Sequence, residues 1–473
     1  MIQLQKVRKI YFIGIGGMGM SAVAGIAKER GFEVSGSDAK TLYDPSKDVL
    51  DRYGISYIAG YKAANIQAFA PDLIVVGGGE TNENPEVKAA LRMKVQLTSF
   101  PEFLFVLVKE KTRIVISGTH GKTTTTSLIA FLLKECDLDP GYFIGGVSKD
   151  LAGNFHFSDG KYFVIEGDEY YASFFDKTPK FHYYHPNVLV LNNIEMDHYD
   201  FFDSEEMLLR VFSQLVQNMP TNSVVVANAE DENVKKVLKT WQGRVVWLST
   251  HDPNADWYAA FSGYEENMMR FHISKNGEHQ NAFFFSKPGD HYMKNSLAAL
   301  AVADLLGCDL EKMRESLARF QGPMRRFEKV GEHNDIILYD DFAHHPTAVF
   351  ETLNAAKKMY PQRKLWAIYE PHTFTRTLET LDQLKGAFLA ADQVIIPDIY
   401  PAREKHLSHL IDSQRVVDVI ATQHSAVRYI PIKEKVLRTL THEVKSGDVV
   451  VVMAVGAFSR LSYELYDALK KHV

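Results

Sequence analysis

The chain has 473 residues, 46% of them hydrophobic, which is more than one core usually spans, so two or three domains with room for a cleft between them are expected. A formal net charge of −6 supplies no basic field, which argues against nucleic acid as a partner and leaves any anionic substrate to local cations. Two cysteines, Cys136 and Cys308, exclude a disulfide scaffold and a cysteine-rich metal centre. The first residues run into a strand without an apolar signal core, and no window approaches the ~18 apolar residues of a membrane span, so a soluble cytoplasmic protein is expected.

An apolar strand, a glycine-rich turn and an amphipathic helix open the chain at "RKIYFIGIGGMGMSAVAGIAKERG", and the same plan returns at "TRIVISGTHGKTTTTSLIAFLLKEC". Each reads as the start of a parallel α/β domain. The first continues through the strands of "FEVSGSD" and "DLIVVGGG" and ends near residue 110. The second runs through "KYFVIEGDE", "NVLVLNNIEMDH" and "NSVVVANAED", a strand-rich stretch over 244–286, and a helix at "YMKNSLAALAVADLLG", to the Gly322-Pro323 breaker. Strand and helix alternate again from "DIILYDDFAHHPTAVFETLNAAKKMY" to "DVVVVMAVGAF", which predicts a third α/β domain. The expected division is 1–110, 111–322 and 323–473.

"SGTHGKTTTT" has the Lys and Thr of a phosphate loop, but only Thr119 and His120 separate Gly118 from Gly121, where the usual pattern has four residues. Its setting between strand and helix still aims backbone N–H groups and a helix N-terminus at one spot, with Lys122 as a mobile cation and Thr123 as a Mg²⁺ ligand. The next strand ends carry Glu166, Asp168 and Glu169, then Glu195, Asp197 and His198, the hard oxygens and imidazole that phosphoryl transfer needs around Mg²⁺. The glycines at 14, 16, 17 and 19, with Asp38 ending the next strand, fit a redox dinucleotide, another nucleotide's diphosphate, or a packing turn. "YDDFAHHPTAV" sets Asp340, Asp341, His344 and His345 before a helix that Pro346 starts. The His pair lacks a third ligand at zinc spacing, so no zinc site is read from it. "YEPHTFTRT" adds His372 and Arg376 at another strand end, suited to an anionic second substrate.

Together and in this order, "GTHGKTTTT", "EGDE", "NNIEMDH", "GDHYMKNSLAA", "MRRFE" and "DDFAHHPT" resemble the Mur ligase family, ATP-dependent amide-bond-forming enzymes of peptidoglycan synthesis. The short phosphate loop is that family's own form. The resemblance implies an α/β fold of three domains: an N-terminal Rossmann-like one, a central P-loop ATPase-like parallel sheet, and a C-terminal Rossmann-like one. It implies that Gly118, Thr119, Gly121, Lys122, Thr123 and Thr124 hold the ATP phosphates, that Thr123, Glu166 and His198 ligate Mg²⁺, and that Lys122 and His198 act in catalysis. Asn295, Arg326, Asp341, His344 and His345 would hold ATP across the domain junction. UDP-N-acetylmuramate would lie against Gly16, Gly17, Ser37 and Asp38, with His372 and Arg376 on the acceptor side.

No Lys lies between His198 and Lys235, which matches the branches of the family that use UDP-N-acetylmuramate itself. One of these attaches the recycled peptide L-alanyl-γ-D-glutamyl-meso-diaminopimelate; the other adds L-alanine. "PGYFIGGV", "EGDEYYASFFDKTPKFHYYHP" and "LNNIEMDHYDFFDS" resemble the first, whereas "EPHTFTRT" and "DIYPAREK" resemble the second, with Thr373 where that branch usually has Arg. The balance of motifs favours the peptide, and a monomer or homodimer without nucleic-acid or membrane partners is expected.

Overall fold

The computed structural model describes residues 2–42, 46–197, 199, 201–402 and 404–471, and among them the strands form three sheets. The first is all-parallel, in the order Ser56–Ala59, Glu33–Asp38, Lys9–Ile13, Leu73–Val76, Gln96–Ser99. Two of its three inner strands, "KIYFI" and "LIVV", are apolar almost throughout because helices cover both faces.

The second sheet places Thr112–Ser117 between Val188–Leu191 and Tyr162–Glu166, all parallel, so three strand ends that carry polar motifs open side by side. Beyond Arg244–Ser249 it turns antiparallel at Trp257–Glu265 and Met268–Lys275, the strand-rich stretch legible in the sequence. The helix Lys122–Glu135 was expected to be amphipathic. Instead Thr123 to Leu133 are all buried, because it is sandwiched between the sheet and the helix Asp290–Leu305, and of its four threonines only Thr123 and Thr124 reach the cleft.

The third sheet runs Glu328–His333, Ile336–Asp341, Val449–Met453, Leu365–Tyr369, Gln393–Ile396, Val427–Tyr429, parallel except for its first pair. The chain enters it through a stitched passage. The Lys287 ammonium donates to the carbonyls of Arg326 and Phe327, 3.0 Å from each, and Asp150 accepts from the N–H groups of Gln321 and Gly322. Among the described residues no helix is long and apolar enough to cross a membrane.

Asp340 is fully buried in this sheet, and its carboxylate has no hydrogen-bond partner among the described residues; the Arg325 guanidinium stands 3.5 Å away. Burial pushes its pKa from 3.8 up to about 7, with Arg325 pulling down and Asp341 and Glu328 pushing up. The folded state therefore keeps a proton that the unfolded chain releases between about pH 4 and 7, and stability falls as pH rises through that window. Asp340→Asn is expected to raise the melting temperature by about 2 °C or more at pH 8 and to change it little at pH 5. An equal shift at both pH values would contradict this burden on the buried charge.

Candidate active site

A cleft of about 1380 Å³ lies where the three sheets meet, and residues from all three line it. On its floor is the turn between Thr112–Ser117 and the helix that starts at Lys122. Gly121 has φ +82°, a left-handed position that favours glycine, and a Cβ there would meet Asn192 Nδ2 at 2.9 Å as well as the Asn295 side chain. A Cβ on Gly118 would stand 2.7 Å from the Asn193 carbonyl. The two-residue spacing is thus a tight loop pressed against the next strand end, tied there by Thr119 N–H to Asn193 O at 2.9 Å and His120 N–H to Asn193 Oδ1 at 2.8 Å.

The Lys122 ammonium donates to Gly118 O at 2.6 Å and pairs with Glu169 at 3.0 Å. Burial works against its charge, but Glu169, Asp168 and Glu166 outweigh this and hold its pKa above the ordinary lysine value. Thr123 Oγ1 donates to Glu166 Oε1 at 2.8 Å, and Gly145 N–H donates to Glu166 Oε2 at 2.7 Å. The Glu166 pKa is raised, first by burial and then by Asp168. Three carboxylates crowded beside one hydroxyl and two ammonium groups, Lys122 on Glu169 and Lys180 on Asp168, suit a divalent cation, which would relieve the repulsion that remains.

The third sheet closes the far wall. Arg376 pairs with Asp197 across the junction at 2.8 Å and reaches His372 Nδ1 at 2.9 Å. Thr347 Oγ1 donates to Glu195 Oε1 at 2.7 Å, a second bridge between the two sheets. His344 lies with its Nδ1 2.8 Å from the Phe342 carbonyl, and burial, then Arg376, hold its pKa well below the ordinary value. His345 is held down to about 4, by burial and then by His120. Asp341 accepts from Phe327 N–H and Ala343 N–H, both at 2.6 Å, so its two oxygens tie together the segment that carries Arg326 and the one that carries His344.

Thr119, Gly121, Thr124, Asn295 and Arg326 line the cleft with the groups above, and Gly118 does not. On the first sheet Gly17 lines it as well. Gly16 and Asp38 do not: Gly16 N–H donates to Asp38 Oδ2 at 2.9 Å, closing the turn on itself. Ser37 is fully buried with its hydroxyl on Glu86, so its side chain is committed away from the cleft. His198 lies outside the described residues. The sequence reading does not single out Lys180, which is buried against Asp168 at 3.1 Å with its ammonium 3.7 Å from the Tyr170 ring centroid; burial lowers its pKa. Nor does it single out the Gly78-Gly79-Glu80 turn on the cleft's first-sheet side, although the glycines after an apolar strand were a signal.

Three family models match successive parts of the chain: the Mur ligase family catalytic domain over residues 9–112, the Mur ligase middle domain over 116–303, and the Mur ligase glutamate ligase domain over 325–456. The chain is 36% identical to the UDP-N-acetylmuramate–L-alanine ligase of Acetivibrio thermocellus, over 95% of its own length and 94% of that protein's. Among solved structures it is similar to a murein peptide ligase from Psychrobacter arcticus, with TM-score 0.73 and 30% identity, covering 98% of this chain and 99% of that one. It is also similar to the UDP-N-acetylmuramate-alanine ligase of Thermotoga maritima, with TM-score 0.81 and 25% identity, covering 98% and 100%. The three models in this order, together with a relative matched along nearly its whole length, establish that the chain belongs to the Mur ligase family of ATP-dependent amide-bond-forming ligases.

Proposed function

We propose that the chain joins the α-amine of L-alanine to the carboxylate of UDP-N-acetylmuramate, at the expense of ATP and through an acyl phosphate. The observation that carries this reading is the convergence on one cleft of the Lys122 loop, the Glu166 cluster and the Arg376–His372 pair of the third sheet. Its division of labour follows the expected domains: the sugar nucleotide on 1–110, ATP on 111–322, the acceptor on 323–473.

A carboxylate is a poor electrophile, because its charge repels nucleophiles and oxide does not leave. ATP converts it to an acyl phosphate, whose phosphate does leave. Lys122 moves from Glu169 to the outer phosphates and screens the approaching carboxylate, while the loop N–H groups orient the chain of phosphates. Thr123 and Glu166, with His198 assigned by the resemblance, would hold Mg²⁺, which supplies further charge neutralisation on the phosphates when bound. Arg376, held by Asp197, would take the acceptor's carboxylate and aim its amine at the acyl carbon. The contacts of Glu195 and Asp197 with Thr347 and Arg376 keep the third sheet closed over the loop, which keeps water from the acyl phosphate.

L-alanine as acceptor is supported by the relative that matches 95% of the chain. A second reading, the peptide L-alanyl-γ-D-glutamyl-meso-diaminopimelate, is supported by the likeness to the murein peptide ligase and by the motif "EGDEYYASFFDKTPKFHYYHP". Both present the amine of an L-alanine unit, so the acyl-phosphate chemistry is common to them, whereas the carboxylate beside that amine, which Arg376 would take, is free only in L-alanine and is an amide in the peptide. Phosphate release with ATP, Mg²⁺ and UDP-N-acetylmuramate, comparing the two acceptors with product masses, decides between them. A kcat/KM at least tenfold higher for L-alanine is expected; the reverse preference selects the peptide, and no release with either rejects both.

A further inference from the structure

The His344-His345 pair has no third metal ligand nearby in sequence, but the fold brings two from elsewhere. His120 of the phosphate loop, Glu195 after the strand Val188–Leu191, and His345 at the N-cap of the helix Pro346–Met359 each offer a ligand atom, and these atoms all lie within 4.8 Å of one another. We propose that His120, Glu195 and His345 form a site for a borderline transition-metal cation such as Zn²⁺, distinct from the Thr123–Glu166 position, and that its occupation arrests turnover by pinning the third sheet onto the phosphate loop.

The donor set is two imidazoles and a carboxylate, which suits Zn²⁺ and its neighbours and does not suit Mg²⁺, whose ligands are oxygens. Two of the three are already in contact, His120 Nε2 with Glu195 Oε2 at 2.9 Å. His345 Nδ1 stands 4.0 Å from Glu195 Oε1, and the backbone N–H it accepts, that of Thr347, is a weak partner at 3.4 Å. A tetrahedral shell with bonds of about 2.0–2.1 Å sets its ligand atoms roughly 3.4 Å apart, so the group has to contract by about an ångström. One ligand is already oriented. The Thr347 hydroxyl orients the Glu195 carboxylate, and His345, only 2% exposed, has its Nε2 buried without a hydrogen-bond partner among the described residues, a ring nitrogen left unsatisfied when no ion is bound. The side chains of His120 and Glu195 are 25% and 36% exposed and face the cleft, which leaves a fourth position open to water.

The three ligands span the junction between the second and third sheets, so a bound ion ties together parts that have to separate for nucleotide exchange. The arrest rests on the ligase reading; the ion site does not. The test is a Co²⁺ titration of the full chain without nucleotide in excess Mg²⁺, read as visible absorption and reversed by Zn²⁺. The expectation is saturation at one equivalent, at least tenfold weaker binding in His120→Gln and His345→Gln, and binding retained in Glu166→Gln. His120→Gln is the primary variant, because its side chain is part-exposed, so its loss is expected to leave the fold intact, which circular dichroism checks. No saturable band, unaltered binding in both His variants, or loss in Glu166→Gln overturns the site. Zn²⁺ should inhibit phosphate release, and His120→Gln should need at least tenfold more Zn²⁺ relative to its own uninhibited rate. Tight Zn²⁺ binding without inhibition overturns the arrest.

Discussion

Lys122→Met is expected to lower kcat by about 10³-fold, the scale found when one preorganised positive group is removed from developing transition-state charge. The structure adds a complication, because Lys122 is also half of a buried ion pair with Glu169, whose side chain is 3% exposed. Removing the cation leaves that carboxylate facing Asp168 and Glu166, and truncating one partner of such a pair costs about 3–5 kcal/mol unless the carboxylate takes up a proton. Lys180 against Asp168 limits the damage. The single variant is therefore expected to melt several degrees lower, and lost activity alone would not separate chemistry from stability. The double variant Lys122→Met, Glu169→Gln separates them, since it removes the stranded charge without restoring a cation. Recovery of the melting temperature with turnover still down about 10³-fold assigns Lys122 to the phosphates. Recovery of both assigns it to the fold.

The same cleft shows what a sequence discloses and what it withholds. The tight glycine turn before Lys122 was legible because all of its parts, the strand, two glycines, Lys122 and Thr123, lie within one short βα unit whose geometry is local. The strand ends at Glu166 and Glu195 were legible for the same reason, since parallel sheets gather their carboxyl ends on one edge. Partnerships across the junction were not. Asp197 and Arg376 are 179 residues apart, and only the placement of the third sheet makes them a pair. Ser37 illustrates the opposite failure. It sits at a strand end beside Asp38, yet the strand's alternation sends it inward, where Glu86, 49 residues on, takes its hydroxyl. Lys180 was hidden because a lysine in a polar stretch reads as solvated; its burial among Tyr170, Phe100 and Asp168 depends on how the segment after Glu166 folds back.

Gly121→Ala is expected to weaken nucleotide binding by tenfold or more, while Gly307→Ala leaves it unchanged, and the comparison isolates why this loop is short. Both glycines have left-handed φ, +82° and +89°, so alanine costs about 1–2 kcal/mol of backbone strain at either. At Gly307 an added Cβ meets nothing within 4 Å, and the effect stops at a slightly lower melting temperature. At Gly121 the Cβ runs into Asn192 Nδ2 at 2.9 Å and into the Asn295 side chain. Neither neighbour can retreat cheaply. Asn192 donates to the His120 carbonyl at 3.3 Å and to Thr125 Oγ1 at 3.2 Å, so moving it releases the loop it braces. Asn295 is buried on the helix Asp290–Leu305, packed along Lys122–Glu135. The methyl therefore pushes the turn off the following strand end and turns its N–H groups away from one another, undoing the convergence that the two-residue spacing creates. Calorimetric titration with a non-hydrolysable ATP analogue reads this directly. Equal affinities for the two variants would mean that the loop tolerates displacement and that Lys122, not the backbone cradle, supplies most of the binding.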